Sequence, residues 1–341
     1  MKNDIEYRNK ITILSFVLAI AIVLRHSVNI DIYNLDQYKH IWGFGGGAYY
    51  FEKIVSELTD LVVPTFFVLS GYLFYQNFSY SVLPLKYKKR FFSIILPYFI
   101  WNIVAYLYYE VIDILPIIGT YINQEIEPFN IEWFLRNMIF GHHNITWFLR
   151  NLILYIYVGP ILYPLLKQKI TGLFVIVFVV LMGAFTANRY ILYAPMYIFG
   201  AYIGIHFKFY IRQNYSSITK VIALAYIFLT TVPMIFLNEI EISLYIPLRL
   251  SQVVAIWIIA DWLPINVKPG WWMKISFFIY CTHSMILESV EKLFLIFLGN
   301  NILGAFVDII FAPLITISLI ILVAYILKKD SCIWKILTGN R

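Results

Sequence analysis

The stretch Ile11–Ile30, ITILSFVLAIAIVLRHSVNI, is an apolar run that carries Arg25 and His26 near its end. About 20 residues at ~1.5 Å per residue cross a bilayer core of ~30 Å, so the run predicts a transmembrane helix. His26 lies roughly 22 Å along that helix, in the last third of the membrane. An imidazole at this depth is costly unless it has polar partners, which indicates a functional site. The alternative is that Arg25 and His26 lie at the end of the helix and extend their polar groups to the membrane–water interface.

The composition of the whole chain is typical of a membrane protein. Of its 341 residues, 61% are hydrophobic and 13% are charged, whereas a soluble domain is nearer half apolar and a quarter charged. The apolar segments predict an all-α, polytopic transmembrane bundle of about ten helices that forms a single integral-membrane domain over residues 1–341. The predicted helices cover residues 11–31, 54–76, 91–115, 147–166, 171–187, 190–207, 218–237, 244–263, 275–298 and 305–327.

The basic residues predict the orientation of the chain. With the N-terminus in the cytoplasm, 18 of the 26 Lys and Arg residues fall on the cytoplasmic side, as the positive-inside rule requires. Both termini are then cytoplasmic, and His26 lies near the outer face. Because this topology accounts for the net charge of +7, no nucleic-acid partner is expected. Cys281 lies in an apolar segment and Cys332 in a basic tail, which predicts no disulfide.

Two connections on the predicted outer face are long, and long loops on one face often carry function. Residues 31–53 contain three successive glycines at 45–47, which predict a flexible hairpin. Residues 116–146 are expected to include a short surface helix. They also contain the adjacent His142 and His143, which lack the spacing and the carboxylate neighbours of a zinc site. The sequence therefore predicts no metal, and no nucleotide-binding fingerprint occurs in it.

Two groups near the predicted inner surface are candidates for donor binding. Lys88, Lys89 and Arg90 form a positive-inside anchor in the simplest interpretation, and in the functional one they also attract a polyphosphate donor. Ser70 precedes Gly71 in the second helix, where small residues allow helices to approach closely. Contact with a ligand is the alternative for Ser70. No nucleophile elbow surrounds it, so it is not a candidate nucleophile.

Two further ionisable side chains fall inside predicted helices. Arg150 lies one turn inside the fourth helix at the depth of His26, where a guanidinium can orient an acceptor hydroxyl or stabilise negative charge on an acyl oxygen. An arginine that extends to the interface is the alternative. His283 lies near mid-membrane in the ninth helix, where a histidine is costly unless it lines a polar cavity. A structural histidine is the alternative there.

Several motifs, taken in order, resemble the integral-membrane acyltransferase-3 family, bacterial polytopic enzymes that O-acetylate surface polysaccharides, peptidoglycan and related acceptors. A histidine near the outer end of the first helix is matched by His26. The other matches are FFVLSGY at 66–72, KKR followed by LPY between 88 and 98, WFLRNL at 147–152 and YCTH at 280–283. Each motif alone is weak, but their order and positions over nearly the whole chain are specific.

The resemblance implies O-acyl transfer in a bacterial inner membrane, with acetyl as the expected group. The donor would be cytoplasmic acetyl-CoA, and the acceptor a hydroxyl of a glycan outside; membrane lipid is the third expected partner. His26 is expected to act as general base, with Arg25 or Arg150 polarising the carbonyl or holding the sugar. His283 is expected to relay or to line a tunnel. The expected donor-binding residues are Lys10, Lys88, Lys89, Arg90 and Ser70.

One position departs from the family pattern. Ser15 stands where the family usually has Arg or Lys, with ten residues between that position and the histidine. Lys10, Arg8 or Arg25 is expected to replace the missing cation; otherwise donor binding is altered or lost. The second hypothesis is therefore an exporter or flippase of a cell-surface polysaccharide or lipid-linked glycan, a function that membrane-embedded Arg and His side chains also suit.

Overall fold

The computed structural model describes residues 4–114, 131–141, 146–186, 188–236 and 241–339. Helices dominate these ranges, and no strand occurs in them, which confirms the predicted all-α fold. The helices are α1 (Asp4–His26), α2 (Phe44–Thr59), α3 (Val62–Tyr75), α4 (Leu83–Arg90), α5 (Leu96–Ile114), α6 (Ile131–Phe140), α7 (Trp147–Val158), α8 (Tyr163–Leu166), α9 (Lys169–Thr186), α10 (Arg189–Leu192), α11 (Ala194–His206), α12 (Lys208–Ile211), α13 (Ser217–Phe236), α14 (Ile242–Ile259), α15 (Ser276–Leu298), α16 (Ile302–Leu327) and α17 (Ser331–Thr338).

Eight stretches of the described residues are long and apolar enough to cross a membrane, which confirms a polytopic bundle. Two of the ten predicted segments are not among them. The sixth is divided between α10 and α11, and the 13 residues of α11 are too few to cross a ~30 Å core. The ninth, α15, is long enough but carries Glu288, Glu291 and Lys292 close together.

The described residues pack into two compact units, each assembled from separate segments of the chain. Unit 1 comprises the described parts of Met1–Leu18, Asp60–Lys89 and Asn151–Lys274. Unit 2 comprises those of Ala19–Thr59, Arg90–Arg150 and Ile275–Arg341. Residues that are distant in sequence are therefore neighbours within each unit.

Glycines bring two helices of unit 1 into backbone contact. A methyl group at Gly71 of α3 would overlap the carbonyl oxygen of Tyr197 in α11, and one at Gly200 would overlap that of Val68. In a membrane the hydrophobic effect does not drive helices together, because the lipid tails are as apolar as the side chains. Small residues let the helix backbones approach closely, and this close packing stabilises the contact. The glycine beside Ser70 therefore serves helix packing, as the first interpretation of that pair expects.

The glycine run at 45–47 is helical, so the predicted flexible hairpin is wrong. α2 begins at Phe44 and continues through the run. A side chain at Gly46 would overlap the carbonyl oxygen of Ile41, and one at Gly45 would meet the ring of Tyr38. The missing side chains thus let the preceding connection pack directly against α2.

α6 confirms the short helix that was expected between residues 116 and 146. His142 and His143 lie outside the described residues.

The two cysteines do not form a disulfide. Cys281 is buried, Cys332 is exposed, and both are free. The predicted absence of a disulfide is therefore confirmed.

Candidate functional site

The imidazole rings of His26 and His283 lie next to each other in unit 2, with 5.0 Å between their centroids. His26 is the last residue of α1, and His283 lies in the first half of α15. His283 is only 1% exposed, whereas His26 is exposed. The fold therefore brings together two candidate residues that are far apart in sequence, and it leaves one of the two rings accessible.

A main-chain carbonyl fixes the tautomer of His283. Its Nδ1 lies 2.6 Å from the Tyr280 carbonyl oxygen, and because that oxygen can only accept, Nδ1 carries the proton. Nε2 of the neutral ring is then an acceptor, and the Ser284 hydroxyl at 3.2 Å can donate to it. His26 forms no hydrogen bond with any other residue that the structure describes. Its ring nitrogens can therefore exchange a proton with a substrate.

Two of the sequence motifs meet beside this histidine pair. The ring of Phe148 in α7 packs edge-on against that of Tyr280 in α15, with 5.5 Å between centroids. The Tyr280 ring in turn lies 5.9 Å from that of His283. The aromatic residues of the WFLRNL and YCTH motifs therefore hold the start of α7 and the first half of α15 together.

Both candidate arginines of unit 2 are half-buried and bonded to neighbouring elements. Arg25 Nη1 donates to the Ser56 carbonyl oxygen in α2 at 2.9 Å and also contacts the Ser56 hydroxyl. Arg150 Nη1 donates to the Phe140 carbonyl oxygen at the end of α6 at 2.8 Å. Each guanidinium thus has a structural contact besides any role it has toward a substrate.

A buried polar cluster that the sequence did not single out follows directly after His26. The Asn29 main-chain N–H donates to Glu52 Oε2 at 2.8 Å, and Asn29 Nδ2 donates to Asp308 Oδ2 at 3.0 Å. The Tyr33 hydroxyl donates to the same Asp308 oxygen at 3.3 Å. Glu52 and Asp308 are each 1% exposed. The cluster ties the chain after α1 to α2 and α16, and it thereby fixes the end of α1 that carries His26.

This cluster holds more acceptors than donors, because Glu52 Oε1 and Asp308 Oδ1 are buried without a hydrogen bond to any residue that the structure describes. Burial, and then the Asp308 carboxylate, raise the pKa of Tyr33 above its usual value, so its hydroxyl stays protonated and donates. A sequence signal for the cluster was present, because Asp308 is the sole carboxylate in the predicted helix 305–327. An ionisable residue in such a run is expected to have a buried partner.

The candidate donor-binding residues differ in how accessible they are. Lys10 of unit 1 is fully buried: Nζ lies 2.7 Å from Asp261 Oδ1 and donates to the Trp257 carbonyl oxygen at 2.5 Å. A lysine paired in this way is neutralised inside the protein and presents no cation to donor phosphates. Lys88 and Lys89 are exposed cations of α4, whereas Ser70 and Arg90 are half-buried.

Comparison with known proteins identifies one domain. A family model described as an acyltransferase domain, that of the acyltransferase-3 family, matches residues 8–328. The match includes both histidines and all the other candidate site residues. No curated protein and no solved structure matches the chain.

Proposed function

The chain belongs to the acyltransferase-3 family, and from this membership we propose that it transfers an acetyl group from cytoplasmic acetyl-CoA to a glycan hydroxyl outside the cell membrane of a bacterium. The observation that carries the proposal is the accessible His26 ring held against the buried His283 ring. A hydroxyl nucleophile needs a base, and this pair provides an imidazole that a substrate can reach.

The proposed step forms one bond and breaks another. The acceptor oxygen attacks the thioester carbonyl carbon, the C–S bond breaks, and CoA leaves as a thiolate. His26 removes the hydroxyl proton as the C–O bond forms and then gives that proton to the thiolate, so no net proton is consumed. An imidazole suits both roles because it accepts and releases protons near neutral pH.

His283 is proposed to act through His26 as a positioning residue. Because the Tyr280 carbonyl holds the Nδ1 proton, the neutral ring keeps its Nε2 lone pair. A neutral ring at 5.0 Å tolerates a positive charge on His26, whereas a second cation there would oppose it. A neutral His283 thus adds no positive charge that would oppose the transfer of a proton to His26.

Cationic side chains are proposed for the remaining roles. Lys88 and Lys89, with Arg90 beside them, would attract the phosphates of CoA at the cytoplasmic surface. Arg25 or Arg150 would stabilise the negative charge that develops on the thioester oxygen. Lys10 is left out of this set because Asp261 neutralises it.

Purified protein in lipid nanodiscs tests the proposal with radiolabelled acetyl-CoA and a mixture of bacterial surface oligosaccharides. The wild type is expected to release CoA thiol and to label the oligosaccharides. Replacing the base in His26→Gln is expected to lower turnover by about 10²–10⁴-fold. The matched control is His40→Gln, since His40 is an exposed histidine on the connection that follows α1; its turnover should equal that of the wild type.

Two results would contradict the proposal. Equal turnover by His26→Gln and the wild type would remove His26 from the mechanism. In proteoliposomes, movement of glycan across the bilayer without transfer of label would support the exporter hypothesis instead.

A further inference from the structure

A serine and a histidine of α15 form a pair that the proposed step does not use. The Ser284 hydroxyl lies 3.2 Å from Nε2 of His283, and Nδ1 of the same ring lies 2.6 Å from the Tyr280 carbonyl oxygen. Because that carbonyl holds the ring proton on Nδ1, Nε2 accepts and the Ser284 hydroxyl donates. A hydroxyl that is bonded to an imidazole, which a third group orients, is the arrangement of an activated nucleophile.

The hydroxyl of Ser284 is not bonded to its own helix. The nearby Thr282 hydroxyl donates at 2.8 Å to the Phe278 carbonyl oxygen one turn earlier, as hydroxyls inside a helix commonly do. Among the residues that the structure describes, the Ser284 hydroxyl bonds to His283 alone. Its oxygen lone pairs are therefore available for attack on a carbonyl carbon.

This serine–histidine pair is nearly closed to water but adjoins the accessible His26. Ser284 is 7% exposed and His283 is 1% exposed, whereas His26 is exposed and its ring lies 5.0 Å from that of His283. Ser284 is thus connected to the proposed base through the ring of His283. A site that excludes bulk water also protects a reactive intermediate from hydrolysis.

A covalent intermediate would separate the arrival of the donor from that of the acceptor. Acetyl-CoA is proposed to come from the cytoplasm and the glycan from outside, on opposite sides of a bilayer core of ~30 Å. Ser284 is the ninth residue of α15, roughly 12 Å along a helix that rises ~1.5 Å per residue. An acetyl group attached there can remain after CoA has left and until the acceptor binds.

We propose that Ser284 is the nucleophile of a two-step transfer and carries the acetyl group from donor to acceptor as an ester. This inference rests on the proposed function and divides its single displacement into two. His283 is then the base of the first step, and His26 remains the base that acts on the acceptor.

Both steps balance in atoms and protons. In the first, Ser284 Oγ attacks the thioester carbonyl carbon and the C–S bond breaks, while His283 Nε2 takes the hydroxyl proton and passes it to the CoA thiolate. His283 is therefore neutral again when the acceptor binds. In the second, the acceptor oxygen attacks the ester carbonyl carbon, and the bond from that carbon to Ser284 Oγ breaks. The proton that His26 takes from the acceptor returns through His283 to Ser284.

Incubating the purified protein in nanodiscs with radiolabelled acetyl-CoA, in the absence of glycan, tests the inference. The wild type is expected to release CoA thiol and to retain about one acetyl group per chain, which mass spectrometry should locate on Ser284. When glycan is added, the wild type should transfer the label to it. His26→Gln should keep the label on the protein, because only its second step is impaired.

Two variants of α15 and a matched control assign the label. Ser284→Ala removes the nucleophile and should abolish labelling, and its turnover should fall by about 100-fold or more. His283→Gln should slow labelling by about 10²–10⁴-fold. The control is Thr282→Val, since Thr282 is a hydroxyl residue of the same helix with a similar exposure of 6%, and its labelling should equal that of the wild type.

The outcomes separate this inference from the proposed function. Acetylation of glycan by the wild type, with no label on the protein in either the wild type or His26→Gln, would overturn the inference and leave the proposed function standing. Label on another residue, or full labelling of Ser284→Ala, would overturn it as well. If Ser284→Ala does not fold, the position of the label in the wild type and His26→Gln decides. An acetylated Ser284 that passes its acetyl group to no glycan would uphold the nucleophile and contradict the proposed acceptor.

Discussion

Lys10 and His26 lie on the same apolar helix, but they differ in burial and in hydrogen-bond partners. Lys10 is fully buried and bonded to Asp261 and to the Trp257 carbonyl oxygen. His26 is exposed, has the ring of His283 beside it, and forms no hydrogen bond to the part of the chain that the structure describes. An ionisable residue in a membrane helix thus has either a structural or a chemical role, and its partners decide which.

Arg249 in α14 repeats the pattern of Lys10. Its side chain is 1% exposed, Nη2 lies 2.8 Å from Asp60 Oδ2, and Nη1 donates to Gln252 Oε1 at 2.9 Å. The Tyr245 hydroxyl donates to the same Asp60 oxygen at 2.8 Å. The buried cations of unit 1 are therefore matched by carboxylates, so they hold helices in place rather than meeting a substrate.

The largest expected effect on stability comes from breaking the enclosed pair. Lys10→Met leaves Asp261 buried without its cation and should reduce the free energy of unfolding by about 3–5 kcal/mol. SDS-induced unfolding in mixed micelles, followed by circular dichroism, measures this change. If Lys10 has a structural role and His26 a chemical one, Lys10→Met is far less stable than His26→Gln.

A second variant separates loss of the pair from loss of the lysine itself. In Lys10→Met with Asp261→Leu, no unpaired charge remains, and most of the lost stability should return. A double variant as unstable as Lys10→Met would show that the ion pair is not the cause.

A smaller effect is expected from the cluster that fixes the end of α1. Asp308→Leu leaves the side chains of Asn29 and Tyr33 without their acceptor and should reduce the free energy of unfolding by about 1–3 kcal/mol. Because the cluster positions His26, turnover should fall as well. Tyr33→Phe removes only one bond to Asp308 and should cost about 0.5–1.5 kcal/mol in the same unfolding assay. Full turnover in Asp308→Leu would mean that His26 does not depend on this support.

The smallest expected effect on stability is that of His26→Gln. No described hydrogen bond holds the ring, so the free energy of unfolding should change by under about 1 kcal/mol, although turnover collapses. Unfolding and turnover measured on one preparation test this dissociation. A stability loss as large as that of Lys10→Met would place His26 among the structural residues and remove the contrast between the two ends of α1.

The sequence by itself determined the fold class and the family. Long apolar runs must satisfy their backbone hydrogen bonds internally, so they predict helices whatever their neighbours are. The ordered motifs predicted the acyltransferase-3 family, and His26 and His283 were both identified as costly residues that need partners. The glycine run at 45–47 shows what the local sequence missed, because the run is helical and Gly45 and Gly46 leave room for Tyr38 and the Ile41 carbonyl to pack against it.

Only the tertiary structure decided which charged side chains are satisfied. Lys10 belonged to the predicted donor site until Asp261, which lies 251 positions later, was seen to neutralise it. Asp308 meets Asn29 across 279 positions, and His283 meets His26 in the same way. The local sequence shows that burying an ionisable side chain in an apolar helix costs free energy. The hydrogen bonds and ion pairs that compensate for this cost come from segments that are distant in the sequence. Such contacts exist only once the helices have packed together.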